Sequence, residues 1–597
     1  MSTDVHANNL VEVFEESVRR FPDRPVFGRK TGPGTFVWVT YADVGRRVDQ
    51  TRAGLALLGV GRGDTVGIIA NNRVEWAVGA FAAYGRGARW VPMYEAELAE
   101  TWKYILRDSG VKVLLASTLA IGKAVEAMRP ELPDLEHIVL LDAEGENSLA
   151  ALQQRGAEHP EPSVHPDADD IACLIYTSGT TAAPKGVLLS HGNLTSNARA
   201  GYHKFPELDE KDRSLSILPW AHSYGQTAEL YNFLQIGGSL GFMESIATMA
   251  EDLIAVRPTY LLAVPRVFHK IHDAVLLKMS RENLIARRLF DAGLRAAHRR
   301  REDGPEALSP IERLTYAAAD KLVFGKIRDR FGGRLRGALT AGATMNTEVS
   351  TFFHDIGIPV YDCYGLSETS PAVTMNSAKQ FRLGSVGLPI EDVRVVLDKS
   401  VVEDSSDEGE IVVYGPNVMK GYHNKPDETR EVMTADGGFR TGDRGRIDAD
   451  GFVYVTGRLK EQYKLENGKY VFPATLEEEI RTIPGVASAM VSGAGKRFNI
   501  ALVVPEFVVL ADRLAIADLP EDPKEVVARA DVQAYFQDAI TGVLTGKYGG
   551  YEIPKKVILL TEDFTVDNGM LTQTMKLKRR NVVVAYQDKI DAAYASE

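Results

Sequence analysis

The chain has 597 residues, 45% of them hydrophobic and 25% charged, and a formal net charge of −12. At roughly 150 residues per domain this is about four units, or fewer if one is large, so a lone small binding module is excluded, and the apolar content excludes a disordered chain. The negative balance repels polyanions and argues against a general nucleic-acid binder, so a phosphate ligand has to be held by local groups.

The first ten residues carry Asp4, His6, Asn8 and Asn9 where a secretory signal would be basic and then apolar. No apolar run approaches the roughly 18 residues of a membrane helix. The two cysteines, Cys173 and Cys363, are too few for a disulfide framework or a four-thiolate metal site; they read as small buried residues in a reducing compartment. A cytoplasmic location is expected. Leu10, Val13, Phe14, Val18 and Phe21 recur at helical spacing and predict a packing helix over 10–21. Short apolar β-rich runs then alternate with helical stretches, at 65–70, 90–93, 111–116, 138–141, 171–176, 260–264 and 336–340. That rhythm predicts an α/β fold with parallel sheets flanked by helices, in which loops at the carboxyl ends of strands carry ligands.

Lys278, Arg281, Arg287, Arg288, Arg295, Arg299, Arg300 and Arg301, interleaved with Leu276, Leu277, Leu284, Leu289 and Leu294, predict one basic amphipathic helix. Its basic face is either solvated or turned to an anionic membrane surface or a nucleotide phosphate. After about residue 380 the pattern becomes Gly-punctuated strands, at 409–414 and 451–456, which predicts an antiparallel, barrel-like subdomain over about 380–459. A domain boundary is expected at Gly457-Arg458-Leu459-Lys460, giving a large domain over 1–459 and a small α+β domain over 460–597. No repeat or low-complexity tract appears.

The stretch from Tyr176 to Gly186 follows an apolar strand and contains Thr177, Ser178, Gly179, Thr180, Thr181 and Lys185. Glycines let backbone N–H groups approach a polyphosphate, hydroxyls donate, and the lysine adds charge. The spacing is not that of a Walker loop, since Lys185 precedes Gly186. Six further motifs follow in order: Leu218 to Tyr224 with His222; Thr340-Ala341-Gly342-Ala343; Tyr364-Gly365-Leu366-Ser367-Glu368-Thr369; Gly438 to Asp443; Glu466 to Val471 with Gly468; and Leu571 to Arg580 with Lys576.

Together these motifs, spread over nearly the whole chain, resemble the signatures of the adenylate-forming superfamily of acyl-CoA synthetases, peptide-synthetase adenylation domains and luciferases. Departures are Ala182 and Met575 where the family commonly has glycine, and Ser367 where it has threonine. The resemblance implies that the Thr177–Lys185 loop holds the ATP phosphates and that Glu368, with Thr177, holds Mg2+. It implies that Gly342 and Ala343 leave a slot for adenine, that Tyr364 stacks on it with Gly365 beside it in the nucleotide site, and that Ser367 meets the α-phosphate. Asp443 and Arg458 would reach the ribose, His222 would lie beside the acyl carboxylate, and Lys576 would touch carboxylate and α-phosphate. Lys460 would be the hinge of a mobile small domain, and Gly468 would line the pantetheine tunnel of coenzyme A. The Met-Lys-Leu-Lys-Arg ending and the Arg257 to Val267 stretch are most like long-chain fatty acyl-CoA synthetases. The implied partners are a fatty acid, ATP and coenzyme A, with no nucleic acid and no transmembrane segment; peripheral membrane contact and a homodimer stay open. The rival readings are an acyl-AMP ligase that loads a carrier protein, a medium-chain or aryl acid ligase, a luciferase-like oxygenase, and a silent nucleotide-binding protein.

Overall fold

A computed structural model describes residues 7–177, 184–401, 407–514, 519–572 and 576–595. The opening helix, Leu10–Arg20, is capped by the Asn9 side chain, which accepts from the Glu12 N–H, and it buries Leu10, Val13 and Phe14. A seven-stranded sheet follows, in the order Gly421–Tyr422, Lys185–Ser190, Ile171–Thr177, Arg89–Met93, Thr65–Ile69, Val113–Ala116, His137–Leu140. Its last five strands are parallel. Thr65–Ile69 and Val113–Ala116 are buried at every position, as parallel strands covered on both faces must be.

A second sheet runs Tyr260–Ala263, Gly337–Thr340, Val360–Gly365, Ala372–Met375, Leu388–Pro389, parallel across the first three strands and antiparallel afterwards. The strands predicted from apolar runs are all present. The antiparallel expectation also holds: Arg394–Asp398, Gly409–Tyr414, Phe439–Ile447 and Val453–Arg458 form one four-stranded antiparallel sheet. Among the described residues it stays open and does not close into a barrel.

The basic stretch is not one helix. Pro265–Ser280 ends at Arg281, and Leu284–Asp303 begins afresh with Asn283 as its N-cap, the side chain accepting from Ala286 N–H at 2.9 Å. Charge and leucine spacing run through the break, so periodicity alone hides it. From Leu465 onward the chain has apolar clusters of its own, in which Leu476, Val503, Phe536 and Ile540 pack a three-stranded sheet, Val486–Ser492, Ile500–Pro505 and Lys556–Leu559, against helices.

Candidate active site

Strands Ile171–Thr177 and Lys185–Ser190 pair antiparallel with Thr177 opposite Lys185, so these two residues of the phosphate-loop motif are held side by side. Ser178, Gly179, Thr180 and Thr181 lie outside the described residues. Gly421–Tyr422 adds to the far edge of that strand pair and brings Tyr422 against it. The Lys185 ammonium sits 4.8 Å from the centre of the Tyr422 ring, a cation–π contact, and the Tyr422 hydroxyl donates to Glu368 Oε1 at 2.8 Å. Burial, and secondarily the Glu368 charge, raise the pKa of that hydroxyl, which therefore stays protonated and donating. One tyrosine thus bridges the loop lysine and the candidate metal carboxylate.

Glu368 and Ser367 occupy a single turn, Ser367–Thr369, just past the carboxyl end of strand Val360–Gly365. Only glycine fits at 365, because a Cβ there would lie 1.9 Å from the Pro371 carbonyl oxygen. Ser367 Oγ is 3.1 Å from Ser223 Oγ, which ties this turn to the His222 motif. The Tyr364 hydroxyl donates to Asp443 Oδ2 at 2.7 Å, and Arg458 Nε lies 2.9 Å from Asp443 Oδ1. The pair is set by register, since Asp443 and Arg458 face each other across neighbouring strands. Two oxygens offer about four acceptor positions, and Tyr364 and Arg458 take two of them.

His222 Nδ1 accepts the Tyr224 N–H at 3.1 Å. Burial and then the Lys576 charge lower its pKa to about 3, so the ring is neutral near pH 7 and carries its hydrogen on Nε2, where it is free to donate. Lys576 is exposed to solvent. Desolvation and Arg458 lower its pKa, and Asp443, Glu368 and Glu461 oppose them. Lys576 is thus within electrostatic reach of His222, Arg458, Asp443 and Glu368.

Gly342, at φ +89°, and Ala343 lie exposed after strand Gly337–Thr340; the nearest atom to a Cβ built on Gly342 is Val264 Cγ1 at 4.0 Å, so a flat ring has room there. Lys460 follows Arg458 in a turn. Gly468 does not join the group: it sits in the turn of the Tyr463–Lys464 and Tyr470–Val471 hairpin, with open space around it. Tyr422, Ser223 and Glu461 were not singled out from the sequence. Tyr422 belongs to a two-residue strand without periodicity, and only its long-range pairing reveals it. Among the described residues no group of three or more His, Cys, Asp or Glu side chains suits a metal ion. A magnesium ion fits here on other terms, since it needs only one or two carboxylates when phosphate oxygens and water complete its shell, and Glu368 is such a carboxylate.

The profile of a family described as "AMP-binding enzyme" matches residues 14–423. The chain is similar to the long-chain-fatty-acid–CoA ligase FadD15 of Mycobacterium tuberculosis (strain ATCC 25618 / H37Rv), at 33% identity covering 99% of this chain and 98% of that protein. It is 30% identical to long-chain-fatty-acid–CoA ligase 5 of Mus musculus, over 99% and 89% of the two chains. Among solved structures it resembles the adenylation domain of a carboxylate reductase from Mycobacterium chelonae, with TM-score 0.79 and 22% identity over 100% of this chain and 92% of that one. It also resembles the anthranilate CoA ligase AuaEII in complex with anthranoyl-AMP, with TM-score 0.74 and 19% identity over 98% and 99%.

Proposed function

The chain belongs to the AMP-binding enzyme family, and on that premise we propose that it is an AMP-forming ligase that converts a long-chain fatty acid, ATP and coenzyme A into acyl-CoA, AMP and pyrophosphate. The observation that supports this is the Asp443–Arg458 pair at 2.9 Å, with Lys576 within electrostatic reach of Arg458, Asp443, Glu368 and the neutral His222. A carboxylate resists attack because it must expel oxide, and adenylation replaces that oxygen with a stable leaving group. The fatty carboxylate attacks the α-phosphorus of ATP and pyrophosphate departs in line; Lys576 neutralises charge on the α-phosphate, and His222 Nε2–H orients the carboxylate. Magnesium, held by Glu368 with Thr177 alongside, supplies charge neutralisation on the phosphate oxygens when bound. Asp443 keeps two acceptor positions for the two ribose hydroxyls. The coenzyme A thiolate then attacks the acyl carbonyl and expels AMP.

One site cannot present Lys576 and the thiol together, so residues 460–597 would rotate as a small domain about Lys460 between the two steps. The backbone favours that position: Leu459 N–H donates to Gly442 O at 2.8 Å, and beyond it the turn bonds of Glu461 and Gln462 return only to Arg458.

Membrane contact has its own support. Leu284 and Ile285, 66% and 81% exposed, open a helix beside Lys278, Arg287 and Arg288, none with an ion pair among the described residues. In a chain of net charge −12 such a tip suits an anionic lipid surface. Cosedimentation with phosphatidylglycerol but not phosphatidylcholine vesicles, weakened by I285E, is expected; a stable dimer by light scattering that I285E disperses would assign the tip to a second copy instead. The activity is tested by acid-dependent ATP–pyrophosphate exchange and by thioester formation over acids of increasing length, with coenzyme A and a carrier protein as rival acceptors. Exchange with no acid refutes the ligase reading, and thioester on the carrier alone reassigns the acceptor.

A further inference from the structure

We infer that Glu229 is a positioning residue for the acyl-carboxylate site, clamping the segment that presents His222 and Ser223. The inference rests on the ligase reading above. Glu229 lies on an eight-residue π-helix, Tyr224–Tyr231, that begins directly after those two residues. Such helices are rare and frequently sit at functional sites. Its carboxyl is fully buried. Oε2 accepts from Ser216 Oγ at 2.5 Å and from the Trp220 indole N–H at 3.2 Å, while Oε1 accepts from Ser214 Oγ at 3.3 Å. The carboxyl therefore ties strand Arg213–Ser216 to the motif loop at Trp220.

Asn72 grips the same loop by its backbone. Its Nδ2 donates to Leu218 O at 2.7 Å and to Ser216 Oγ at 2.9 Å, and its Oδ1 accepts the Trp220 N–H at 2.7 Å. Phe27, Trp76 and Phe242 surround the indole with ring centres 5.6, 5.5 and 5.4 Å away. The hydrogen bond to Glu229 gives the indole edge a direction. Two residues beyond Trp220 stands His222, and the next residue, Ser223, reaches Ser367 of the candidate phosphate-binding turn. A shift at Trp220 is thus delivered to the point where carboxylate and phosphate must meet. Burial raises the Glu229 pKa to about 8 against the pull of its three donors, a cost that a leucine would avoid and that core packing does not require.

The test compares E229L, E229Q and W220F with wild type by fatty-acid-dependent ATP–pyrophosphate exchange, with separate KM values for acid and ATP and a thermal melt. Glutamine keeps an acceptor towards Trp220 and Ser216; W220F removes the indole donor together with part of a buried ring, a packing loss that the thermal melt reads separately. The expected result is a fall in kcat/KM for the acid of about 10²-fold in E229L and a like fall in W220F, an unchanged KM for ATP, and recovery in E229Q. Should E229L fail to fold, W220F decides. Acid kinetics unaltered in W220F, or losses shared equally between acid and ATP, overturn the role of Glu229. A wild type that exchanges no pyrophosphate with any acid overturns the ligase reading, and this inference with it.

Discussion

Replacing Asp443 with asparagine isolates the charge that the proposed ribose site depends on. The wild-type carboxylate takes a 2.7 Å bond from Tyr364 and a 2.9 Å contact from Arg458, and its side chain is 3% exposed. A charge-assisted hydrogen bond contributes roughly 1.5–3 kcal/mol. Arg458, however, is 42% exposed, so solvent screening reduces its share to about 1–2 kcal/mol. The asparagine also turns one oxygen into a donor, which removes an acceptor from the ribose at about 1 kcal/mol more. Together the loss is about 2–3 kcal/mol, or roughly 30- to 150-fold in kcat/KM for ATP. Y364F deletes one charge-assisted bond but leaves the carboxylate, its ribose acceptors and Arg458 in place, and should cost about tenfold, the low end of the range for such a bond. Both are measured by pyrophosphate exchange at saturating acid, with AMP affinity by calorimetry as the ground-state check. D443N with ATP kinetics like wild type, or no worse than Y364F, would refute the assignment of Asp443 to the nucleotide.

K576A should slow acyl-AMP formation by about 10²–10³-fold, as loss of one preorganised charge-stabilising group does, yet leave thioester formation from supplied acyl-AMP intact; equal losses in both half-reactions count against the role given to Lys576. K460P, which fixes φ at the proposed pivot, should spare acyl-AMP formation and impair the thioester step, and single-turnover assays of the two steps read this directly. The pKa of His354 is lowered to about 4, first by burial and then by Arg301, against its bond to the Val360 carbonyl. Between pH 6.5 and 4 the unfolded chain binds a proton there that the folded chain refuses, so this residue subtracts stability as the pH falls, by up to about 1.4 kcal/mol per pH unit. Urea melts at pH 7 and pH 5 should show a shallower acid loss in H354Q than in wild type, and parallel curves would remove His354 from the account.

The buried parallel strands were legible because each reads as an unbroken apolar run, and Thr65–Ile69 is buried at all five positions. The break between Ser280 and Leu284 was not, since arginine and leucine spacing continues through it while the capping signal rests on the single residue Asn283. Glycine-punctuated strands announced antiparallel pairing without saying whether the sheet closes, because closure depends on how far strands tilt and shear past one another, which local spacing does not encode. The site shows the same division. Asp443 and Arg458 could be named from their motifs and then appear as register partners. Tyr422 and Glu229 could not, because their significance lies in partners brought from elsewhere: a lysine and a glutamate for the one, two serines and an indole for the other.

The placement of Lys576 and Gly468 bears on the order of events. Lys576 feels the charges of Asp443 and Glu368 and lowers the pKa of His222, whereas Gly468, earlier in the same terminal part of the chain, has nothing within 4 Å of a Cβ built on it. Under the proposed mechanism, a lysine that offsets charge building on phosphate has to be present while pyrophosphate leaves. A tunnel-lining glycine is needed only once a thiol approaches the acyl carbonyl. If the two residues belong to one rigid unit, bringing Gly468 in carries Lys576 out. The chain between Gly442's partner Leu459 and the Tyr463–Lys464 strand is the short span available to absorb that turn. Under the proposed mechanism, adenylation and thioester formation would then compete for one surface and be separated in time.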